Sequence, residues 1–454
     1  MLLRFGVENH RSIRDAQELL LTASERIMPE DRRGTVFPVP GIQEDALPAV
    51  ALYGSNASGK SNVINALVLM RHLIVSSHAE MRPASPIPRN PFLLDNDSPT
   101  KPTRLECTFT LSHAKKLSGD GQTIEGIQPV YTYGFKYTEK EICEEWLYQE
   151  GAEEEQDNQP LFRRTTTNEG INLEVGSQLS GEHQIIKKLT RPNSLFLSAA
   201  AQNNHPQLSE VYRYFSKIIS IKQLKYISQS SIADNVDNCR DKEKLRDILK
   251  QADIGITDIT VKETKSSKNQ ITILSKHGIC EDIIVSPMNS PMKKPGFIHS
   301  TADGTPRSLD YDSESKGTQV FLTLLLPALE ALSEGLFLVI DELDTSLHPD
   351  LSRSFLSLFY KRASNPHGAQ LLFSTHDVTL LDNDVLQQDE IWFTDKDSDG
   401  ASRLTPLTDF ELPPPDQLSH RDIEQAYRLG RFGGVPNSRE FLVELNADQG
   451  EEKG

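Results

Sequence analysis

The sequence predicts an α/β fold in which a mixed β-sheet is flanked by helices, and three observations predict it. The short apolar run Ala49–Tyr53 leads into the glycine-rich segment Gly54–Ser61, and apolar residues then recur at helical spacing over 62–76. A second apolar run, Leu336–Ile340, ends in two adjacent carboxylates. From Ser315 onward, helical and strand patterns alternate as they do in α/β proteins.

Length and composition limit the class of protein. With 454 residues, of which 37% are hydrophobic, the chain can bury the cores of two or three structural units. The formal net charge of −17 argues against a uniformly basic nucleic-acid-binding surface, allows a local basic patch, and suits a protein partner. The cysteines form no C-x-x-C pair, which argues against a zinc ribbon and a disulfide framework and favours a cytoplasmic location: Cys107, Cys143, Cys239 and Cys280.

The sequence gives no reason to expect a membrane location. The N-terminus, MLLRFGVENH, carries Arg4 and Glu8 where a signal peptide would have a long apolar core. The candidate span 320–340 is interrupted by Pro327 and Glu330, and ionisable groups are costly at the centre of a bilayer. We therefore expect a buried helix followed by a buried strand in this region.

The segment Gly54–Ser61 has the sequence GSNASGKS, which matches the phosphate-binding pattern G-x-x-x-x-G-K-[ST]. Glycines let the backbone wrap a phosphate, and the following helix points its positive dipole end at the same anion. Lys60 is expected to reach the β- and γ-phosphates, and the Ser61 hydroxyl to bind Mg²⁺. The predicted nucleotide-binding residues are Gly54, Ser55, Asn56, Ala57, Ser58, Gly59, Lys60, Ser61 and Asn62.

The two carboxylates after the second apolar run are Asp341 and Glu342. At a strand end beside a phosphate-binding loop, Asp341 is expected to hold Mg²⁺ through water. Glu342, one residue further, is expected to polarise the attacking water as a general base. An apolar run that ends in acids is a weak motif alone, but its place in the order of motifs strengthens it.

Three later segments resemble motifs of ABC-type ATPases. The segment Ser315–Gln319 (SKGTQ) is similar to the signature motif and precedes an apolar helix pattern. The segment Leu343–Pro349 (LDTSLHP) is similar to the D-loop, and Ser374–Asp377 (STHD) follows a strand pattern as the H-loop does. Their order along the chain is also the order in that superfamily. The resemblance implies an ATPase whose cofactors are ATP and Mg²⁺.

The same resemblance implies that two subunits sandwich each ATP. In the superfamily the signature serine and glycine belong to the opposite subunit, so Ser315 and Gly317 are expected to cap the γ-phosphate bound by the partner's loop. His376 is expected to contact the γ-phosphate as a catalytic residue, together with Lys60 and Glu342. Asp344 is expected near the subunit interface. The first expected partner is thus a second copy, in a dimer or a higher oligomer.

The N-terminal segment Val7–Ile13 (VENHRSI) resembles the N-F-[RK]-S segment that opens SMC-like, RecF-like and OLD-family ATPases. Because the basic residue of that segment lies close to the nucleotide phosphates, the resemblance assigns Arg11 to the nucleotide site. His10 stands where an aromatic residue is usual. No counterpart of the ABC Q-loop glutamine can be placed.

As a whole, the chain resembles the bacterial AAA-type ATP-binding proteins of the RloA/AbiL group, termed AAA_15 or AAA_21, which are related to the OLD family. Besides the motifs above, the resemblance is carried by four stretches that spread it over nearly the whole chain: Asn90–Asp95, Tyr131–Phe135, Ala252–Ile256 and Gly430–Pro436. It implies a P-loop NTPase of the ABC/SMC-head type that carries an inserted, mostly helical subdomain.

The expected organisation follows from that fold. Residues 1–140 should form the N-terminal part of the ATPase domain, with the phosphate-binding loop and antiparallel strands. Residues 141–300 should form the inserted helical and β subdomain, which would make dimer or partner contacts. Residues 301–445 should form the C-terminal part with the remaining motifs, and 446–454 a disordered tail.

Members of this group are implicated in abortive infection and anti-phage defence, so the resemblance implies a sensor or regulatory ATPase. Its expected effector is a TOPRIM-like nuclease or a toxin encoded nearby, because the stretch after His376 is short for a nuclease domain of this chain. An SMC- or RecF-like DNA-repair ATPase is the alternative, which keeps nucleic acid open as a partner. An ABC-transporter subunit ranks third, because the inserted region is large and the signature departs from LSGGQ.

Two further segments have more than one interpretation. Asp395–Gly400 matches the first half of an EF-hand loop, but Pro406 stands where the loop needs glutamate, so a tight turn between strands is favoured. The segment 427–432 could contact a phosphate or a partner, or it could form a packed C-terminal cap.

Overall fold

The computed structural model describes residues 1–27, 32, 36–39, 42–111, 116–117, 123–124, 129–149, 160–222, 229–252, 255–264, 292–412 and 422–434. The described strands, in chain order, are β1 Leu2–Glu8, β2 Gln17–Leu20, β3 Phe37–Pro38, β4 Asp45–Ala46, β5 Ala49–Tyr53, β6 Thr103–Thr110, β7 Lys116–Leu117, β8 Thr123–Ile124, β9 Val130–Tyr137, β10 Ile142–Gln149, β11 Pro160–Thr167, β12 Gly170–Val175, β13 Ile219–Lys222, β14 Ile256–Thr264, β15 Met292–Ser300, β16 Pro306–Asp310, β17 Phe337–Ile340, β18 Gln370–Ser374, β19 Ile391–Lys396 and β20 Ser402–Pro406. The described α-helices are α1 Lys60–Ser76, α2 His183–Leu189, α3 Phe196–Gln202, α4 Leu208–Arg213, α5 Gln229–Asn238, α6 Lys242–Gln251, α7 Lys316–Glu334, α8 Pro349–Tyr360 and α9 Asp422–Arg428.

A six-stranded sheet forms the centre of the molecule, in the order β13-β17-β18-β5-β19-β20. Its first five strands run parallel, and β20 pairs antiparallel with β19. All residues of β5, β17 and β18 are buried. This explains why these strands are continuous apolar runs and do not alternate, since elements cover both faces of a parallel sheet.

A seven-stranded antiparallel sheet, in the order β12-β11-β10-β9-β6-β1-β2, lies on the other side of α1. The helix is buried around most of its circumference because one core joins it to both sheets. Leu67 and Met70 of α1 share that core with Leu52 of β5, Phe109 of β6 and Tyr133 of β9. Each such side chain contributes roughly 1.5–3 kcal/mol when it leaves water. This core fixes the helix that follows the phosphate-binding loop.

The described part of residues 141–300, expected to form the inserted helical and β subdomain, contains strands β10–β15 beside helices α2–α6, so it is not the mostly helical insertion that the resemblance implies. Strands β10–β12 continue the antiparallel sheet from β9, and β13 adds a parallel edge strand to the central sheet. The second half packs against α7 through Leu245, Phe297 and Phe321. The first half is therefore integral to both sheets. Alternating polar and apolar residues between 254 and 284 predict further strands. Strand β14 lies in this range, and residues 265–284 lie outside the described residues.

The helix and strand expected over 320–340 are present as α7 and β17. Ser315 caps the start of α7, and Gly335 ends it in the left-handed conformation at φ 68°. None of the helices in the described part of the chain has the length and apolar character needed to cross a membrane. Three of the cysteines are free thiols, Cys107, Cys143 and Cys239, whereas Cys280 and the tail 446–454 lie outside the described residues.

Candidate nucleotide-binding site

The predicted motifs meet at one edge of the central sheet. Strands β5, β17 and β18 are adjacent and parallel, with Ile340 paired to Phe373 and Ser374 paired to Leu52. Their carboxyl ends therefore lie side by side. At these ends begin the glycine-rich loop, the Asp341–Glu342 pair and the segment that contains His376. Ligands of open α/β sheets bind at such an edge.

The loop 54–61 has a backbone that few sequences can adopt. Gly54 and Gly59 have φ values of 151° and 126°, and Ala57 has φ 63°. A Cβ atom on Gly54 would lie 2.5 Å from both the Ser58 Oγ and the Thr394 carbonyl oxygen. A Cβ atom on Gly59 would collide with the Ser402 side chain. Both glycines of the motif are thus required by space as well as by conformation.

Lys60 is the first residue of α1 and its side chain turns back over the loop. Its Nζ donates hydrogen bonds to the carbonyl oxygens of Gly54, at 2.7 Å, and Ser55, at 3.1 Å. Burial lowers the pKa of Lys60, while the nearby carboxylates Asp341, Asp344 and Glu342 raise it. The ammonium group is therefore held between the loop and an acidic cluster, where a charge is less screened than in water.

Ser61 and the carboxylate pair are joined by hydrogen bonds. The Ser61 hydroxyl donates to Asp341 Oδ1 at 3.2 Å, and the Ser374 hydroxyl donates to the same oxygen at 2.5 Å. Ser374 also accepts from the backbone N–H of Glu342 at 2.8 Å. One hydroxyl and one carboxylate side by side are the hard oxygen donors that Mg²⁺ prefers, with water and phosphate completing its shell. Ser61 and Asp341, the predicted magnesium ligands, are thus placed side by side and have suitable oxygen atoms.

Glu342 has a strained backbone, with φ 58°. A non-glycine residue in this conformation persists only where surrounding contacts fix it, and such residues cluster at functional sites. The contacts here are its N–H bond to Ser374 and the bond from Thr345 Oγ1 to Glu342 Oε2 at 3.5 Å. They fix the backbone from which the Glu342 carboxylate projects beside Asp341.

His376 lies exposed at the end of β18, and its backbone N–H donates to Asp344 Oδ1 at 3.1 Å. Burial of part of the ring and the Lys60 charge lower the pKa of His376, against a smaller opposing effect of Asp344 and the neighbouring acids. The imidazole is therefore neutral at pH 7 and can donate one N–H. The hydrogen bond from the His376 N–H to Asp344 links the H-loop segment to the D-loop segment.

Ser315 and Gly317 stand apart from this cluster. The Ser315 hydroxyl accepts from the Thr318 N–H at 3.1 Å and so caps α7, and Ser315 is exposed. A Cβ atom on Gly317 would lie 2.9 Å from the carbonyl oxygen of Ser346, so the signature-like segment packs against the D-loop. Among the residues that the structure describes, no hydrogen bond joins either residue to the phosphate-binding loop of the same subunit.

The N-terminal turn that contains Arg11 is fastened beside the loop. Arg11 has φ 51°, and its N–H donates to the Asn90 carbonyl at 2.6 Å. Asn62 Nδ2 donates to the Ser12 hydroxyl at 2.6 Å, and the hydroxyls of Ser12 and Ser402 are 2.7 Å apart. Burial lowers the pKa of Arg11. The side chain of Asn62, a predicted nucleotide contact, therefore anchors this turn.

Several residues that shape the site were missed in the sequence, namely Ser12, Ser374, Thr394 and Ser402. Ser12 and Ser374 lie inside the N-terminal and H-loop segments, whose pattern could have indicated them. Thr394 and Ser402 carry no local signal. The Ser402 hydroxyl donates to the Ser58 carbonyl, and the Thr394 and Ser58 hydroxyls are 2.6 Å apart. Only the pairing of β19 with β5 and β20 brings them to the loop.

The structure shows the conformation of the two segments that have more than one interpretation, 395–400 and 427–432. Asp395 and Lys396 end β19, and residues 397–400 form a tight turn to β20, in which Asp397 Oδ1 accepts the backbone N–H groups of Asp399 and Ala401 at 2.9 Å. In the segment 427–432 the rings of Tyr427 and Phe432 stack on the ring of Phe393, which supports the packed cap, whereas a phosphate or partner contact stays a prediction. No EF-hand geometry is present in this turn.

Comparison with known proteins gives a matching family and remote similarities to solved structures. The family model AAA_21, described as "AAA domain, putative AbiEii toxin, Type IV TA system", matches residues 49–382. This range includes the phosphate-binding loop, the signature-like segment, the carboxylate pair, the D-loop segment and the H-loop segment. No curated protein matches the sequence.

Among solved structures, the SMC head domain from Thermotoga maritima is similar at 12% identity and a TM-score of 0.36, covering 90% of this chain and 99% of that chain. The recombination mediator protein RecF-ATP of the RecFOR pathway is similar at 12% identity and a TM-score of 0.33, covering 89% and 97%. Similarities this remote carry no argument. The fold class expected from the sequence, a P-loop NTPase with a mixed sheet and flanking helices, is confirmed by the family match and by the strand–loop–helix geometry.

Proposed function

This chain belongs to the AAA_21 family of AAA domains, and from this premise we propose that it binds ATP with Mg²⁺ and hydrolyses it within a dimer. The observation that carries the proposal is the convergence of Lys60, Asp341, Glu342 and His376 at the carboxyl ends of three neighbouring parallel strands. Measurement of phosphate release from ATP by the purified protein, with and without Mg²⁺, tests it.

Each residue has a task in this proposal that follows from its position. The backbone N–H groups of the loop and the Lys60 ammonium bind the β- and γ-phosphates. Ser61 and Asp341 hold Mg²⁺, which supplies positive charge to the phosphate oxygens. Glu342 accepts a proton from the attacking water, and His376 donates its N–H to the γ-phosphate. Arg11 adds charge beside the loop.

Ser374 is the residue that holds both carboxylates, and its replacement gives a testable prediction. Ser374→Ala removes one hydrogen bond to Asp341 and one from the Glu342 N–H. We expect kcat for ATP hydrolysis to fall about tenfold to a hundredfold, since a hydrogen bond to a charged group contributes about 1.5–3 kcal/mol and about 1.4 kcal/mol corresponds to a tenfold change in rate. ADP affinity should change little, because the loop and Lys60 are untouched.

A coupled phosphate-release assay and a titration with ADP measure the two quantities separately. Ser354→Ala, which removes an exposed hydroxyl from α8, is the matched control and should hydrolyse ATP at the wild-type rate. A Ser374→Ala protein with unchanged kcat would show that the carboxylates are held without this hydroxyl.

The dimer is proposed because Ser315 and the exposed N-terminus of α7 have their contacts with α7 and the D-loop, away from the loop of the same subunit. A helix N-terminus favours a phosphate by its dipole and its free N–H groups. In the proposed dimer, Ser315 and Gly317 reach the γ-phosphate on the partner, and Asp344 lies near the interface. Two copies then complete two sites across an isologous interface.

Mixing two inactive variants tests this arrangement. Ser315→Asp keeps a helix-capping side chain but adds negative charge where the partner's γ-phosphate is proposed to lie. Ser315→Asp alone and Lys60→Ala alone should both be inactive. Mixed subunits should recover roughly a quarter of wild-type activity, because half of the dimers are mixed and each has one intact site. A mixture that stays as inactive as its components would contradict composite sites.

We further propose that this ATPase is the sensor or regulatory subunit of a bacterial anti-phage system of the RloA/AbiL and OLD-related type, and controls a nuclease or toxin partner. The support is the family description, which names a toxin and a type IV toxin–antitoxin system. The net charge of −17 suits a protein partner. Co-expression with the neighbouring gene products, followed by purification through a tag on this chain, tests it. A chain that protects cells from phage alone, with no retained partner, would count against control of an effector.

A further inference from the structure

The two glycines that follow α9, Gly433 and Gly434, form what is here named the C-terminal glycine pair. They have φ values of 71° and 67°. A Cβ atom on Gly434 would lie 3.2 Å from the Cα of Gly54 and 3.0 Å from the carbonyl oxygen of Thr394. The backbone of the pair therefore touches the first glycine of the phosphate-binding loop directly.

The Thr394 carbonyl lies between the two segments. A Cβ atom on Gly54 would be 2.5 Å from this oxygen, on one side, and one on Gly434 would be 3.0 Å from it. The Thr394 hydroxyl also donates to the Tyr53 carbonyl at 3.1 Å, so the threonine itself is fixed to β5. Three backbones, from β19, the loop and the C-terminal glycine pair, are thus stacked without room for a side chain.

The C-terminal glycine pair is held in this position by buried aromatic residues. The Tyr427 hydroxyl donates to the Gly434 carbonyl at 3.1 Å. The Tyr427 ring stacks on Phe393 at 5.4 Å between centroids and meets the edge of Tyr53 at 6.0 Å. The Phe432 ring also stacks on the Phe393 ring, at 5.1 Å between centroids. The pair is therefore anchored to β19 and β5, the strands on which the loop also depends.

We infer that the C-terminal glycine pair is a positioning element for the phosphate-binding loop, which fixes the backbone of Gly54 and Ser55 in the conformation that binds the nucleotide phosphates. The inference rests on the proposed nucleotide binding at this loop. A loop that binds phosphate through its backbone N–H groups has to be fixed by contacts on its outer side, and the pair supplies such a contact near Gly54 and the Ser55 N–H.

The chain offers a matched pair of substitutions that tests the inference. Gly434→Ala and Gly430→Ala both place a methyl group on a residue of similar positive φ, 67° and 76°, so both carry the same kind of backbone strain. The methyl group at 434 meets the loop, whereas the one at 430 has no atom within 4 Å. Calorimetric titration with ADP and Mg²⁺, beside thermal unfolding, separates the contact from the strain.

Gly434→Ala is expected to weaken ADP binding about tenfold, since small displacements of a binding backbone have large effects. Gly430→Ala should lose a similar amount of thermal stability and keep the wild-type Kd. Tyr427→Phe adds no atom and removes the hydroxyl, which bonds the Gly434 carbonyl and also the Gly54 backbone. It should weaken ADP binding about threefold and serves if Gly434→Ala does not fold.

Equal ADP affinity in wild type, folded Gly434→Ala and Tyr427→Phe would overturn the inference and leave the proposed function standing. Equal loss of affinity in Gly430→Ala and Gly434→Ala would also overturn it, because strain alone would then explain the effect. Wild-type protein that binds no ADP would overturn the proposed nucleotide binding itself, and the inference with it.

Discussion

Replacement of Lys60 by alanine is expected to abolish detectable ATP hydrolysis. The Lys60 ammonium is the charge inside the loop, where it bonds the Gly54 and Ser55 carbonyls, and three carboxylates lie close enough to affect its pKa. Without this cation, the phosphates would enter a site dominated by the acidic cluster. Loss of one preorganised charge or donor costs about a hundredfold to a thousandfold in rate, and the electrostatic effect of the acids on phosphate affinity adds to it.

The measurement is a titration with ATP and Mg²⁺ together with a phosphate-release assay. Lys140→Ala, at an exposed lysine in the turn between β9 and β10, is the control and should leave both quantities unchanged. Thermal unfolding of Lys60→Ala shows whether the fold is intact. A folded Lys60→Ala protein that binds and hydrolyses ATP like the wild type would exclude the loop as the nucleotide site.

The part of the site that could be predicted from the sequence is the part whose chemistry is local. In the loop 54–61 the residues that wrap a phosphate are consecutive, so spacing alone indicates their conformation. The carboxylate pair is also a local signal, because its two residues are adjacent and directly follow a buried strand. The roles of these residues in binding and hydrolysis stay predictions until the substitutions are measured.

The contacts that support the loop could not be predicted in this way. Ser402 and Ser58 are 344 residues apart in the chain, and they meet only because β20 pairs with β19, which pairs with β5. A serine in a polar strand has no pattern that distinguishes it from a solvent-exposed one. The same holds for Gly434, whose contact with Gly54 depends on the packing of Tyr427 and Phe432 against Phe393 of β19.

The organisation of residues 141–300 differed from expectation for a related physical reason. A strand of an antiparallel sheet with one exposed face mixes polar and apolar residues, as β11, next to the edge strand β12, does with Arg163, Arg164 and its threonines. Arg164 is nevertheless fully buried, because Glu145 on the neighbouring strand and backbone carbonyls accept its N–H groups. Such pairs become visible only when the strands are aligned, so nothing in the sequence corrected the mostly helical subdomain that the family resemblance implies.

Replacement of Glu342 by glutamine is expected to separate ATP binding from hydrolysis. Glutamine keeps the size of the side chain and its ability to hydrogen-bond, so Thr345 and the Ser374 contact to the backbone N–H can be retained. It cannot accept a proton from water. We therefore expect kcat to fall about a hundredfold or more, which is the contribution typical of a general base, while ATP affinity is kept.

The trapped state gives this prediction a second readout. If ATP joins two subunits and hydrolysis releases them, Glu342→Gln with ATP and Mg²⁺ should sediment as a stable dimer, whereas wild type should return to its nucleotide-free state as ATP is consumed. Glu330→Gln, at an exposed glutamate of α7, is the control for loss of one carboxylate and should behave like the wild type. A Glu342→Gln protein that hydrolyses ATP at the wild-type rate refutes the general-base assignment. A Glu342→Gln protein that binds ATP, does not hydrolyse it and stays monomeric is consistent with the general-base assignment. The same result contradicts the ATP sandwich, because bound ATP has then failed to join two subunits.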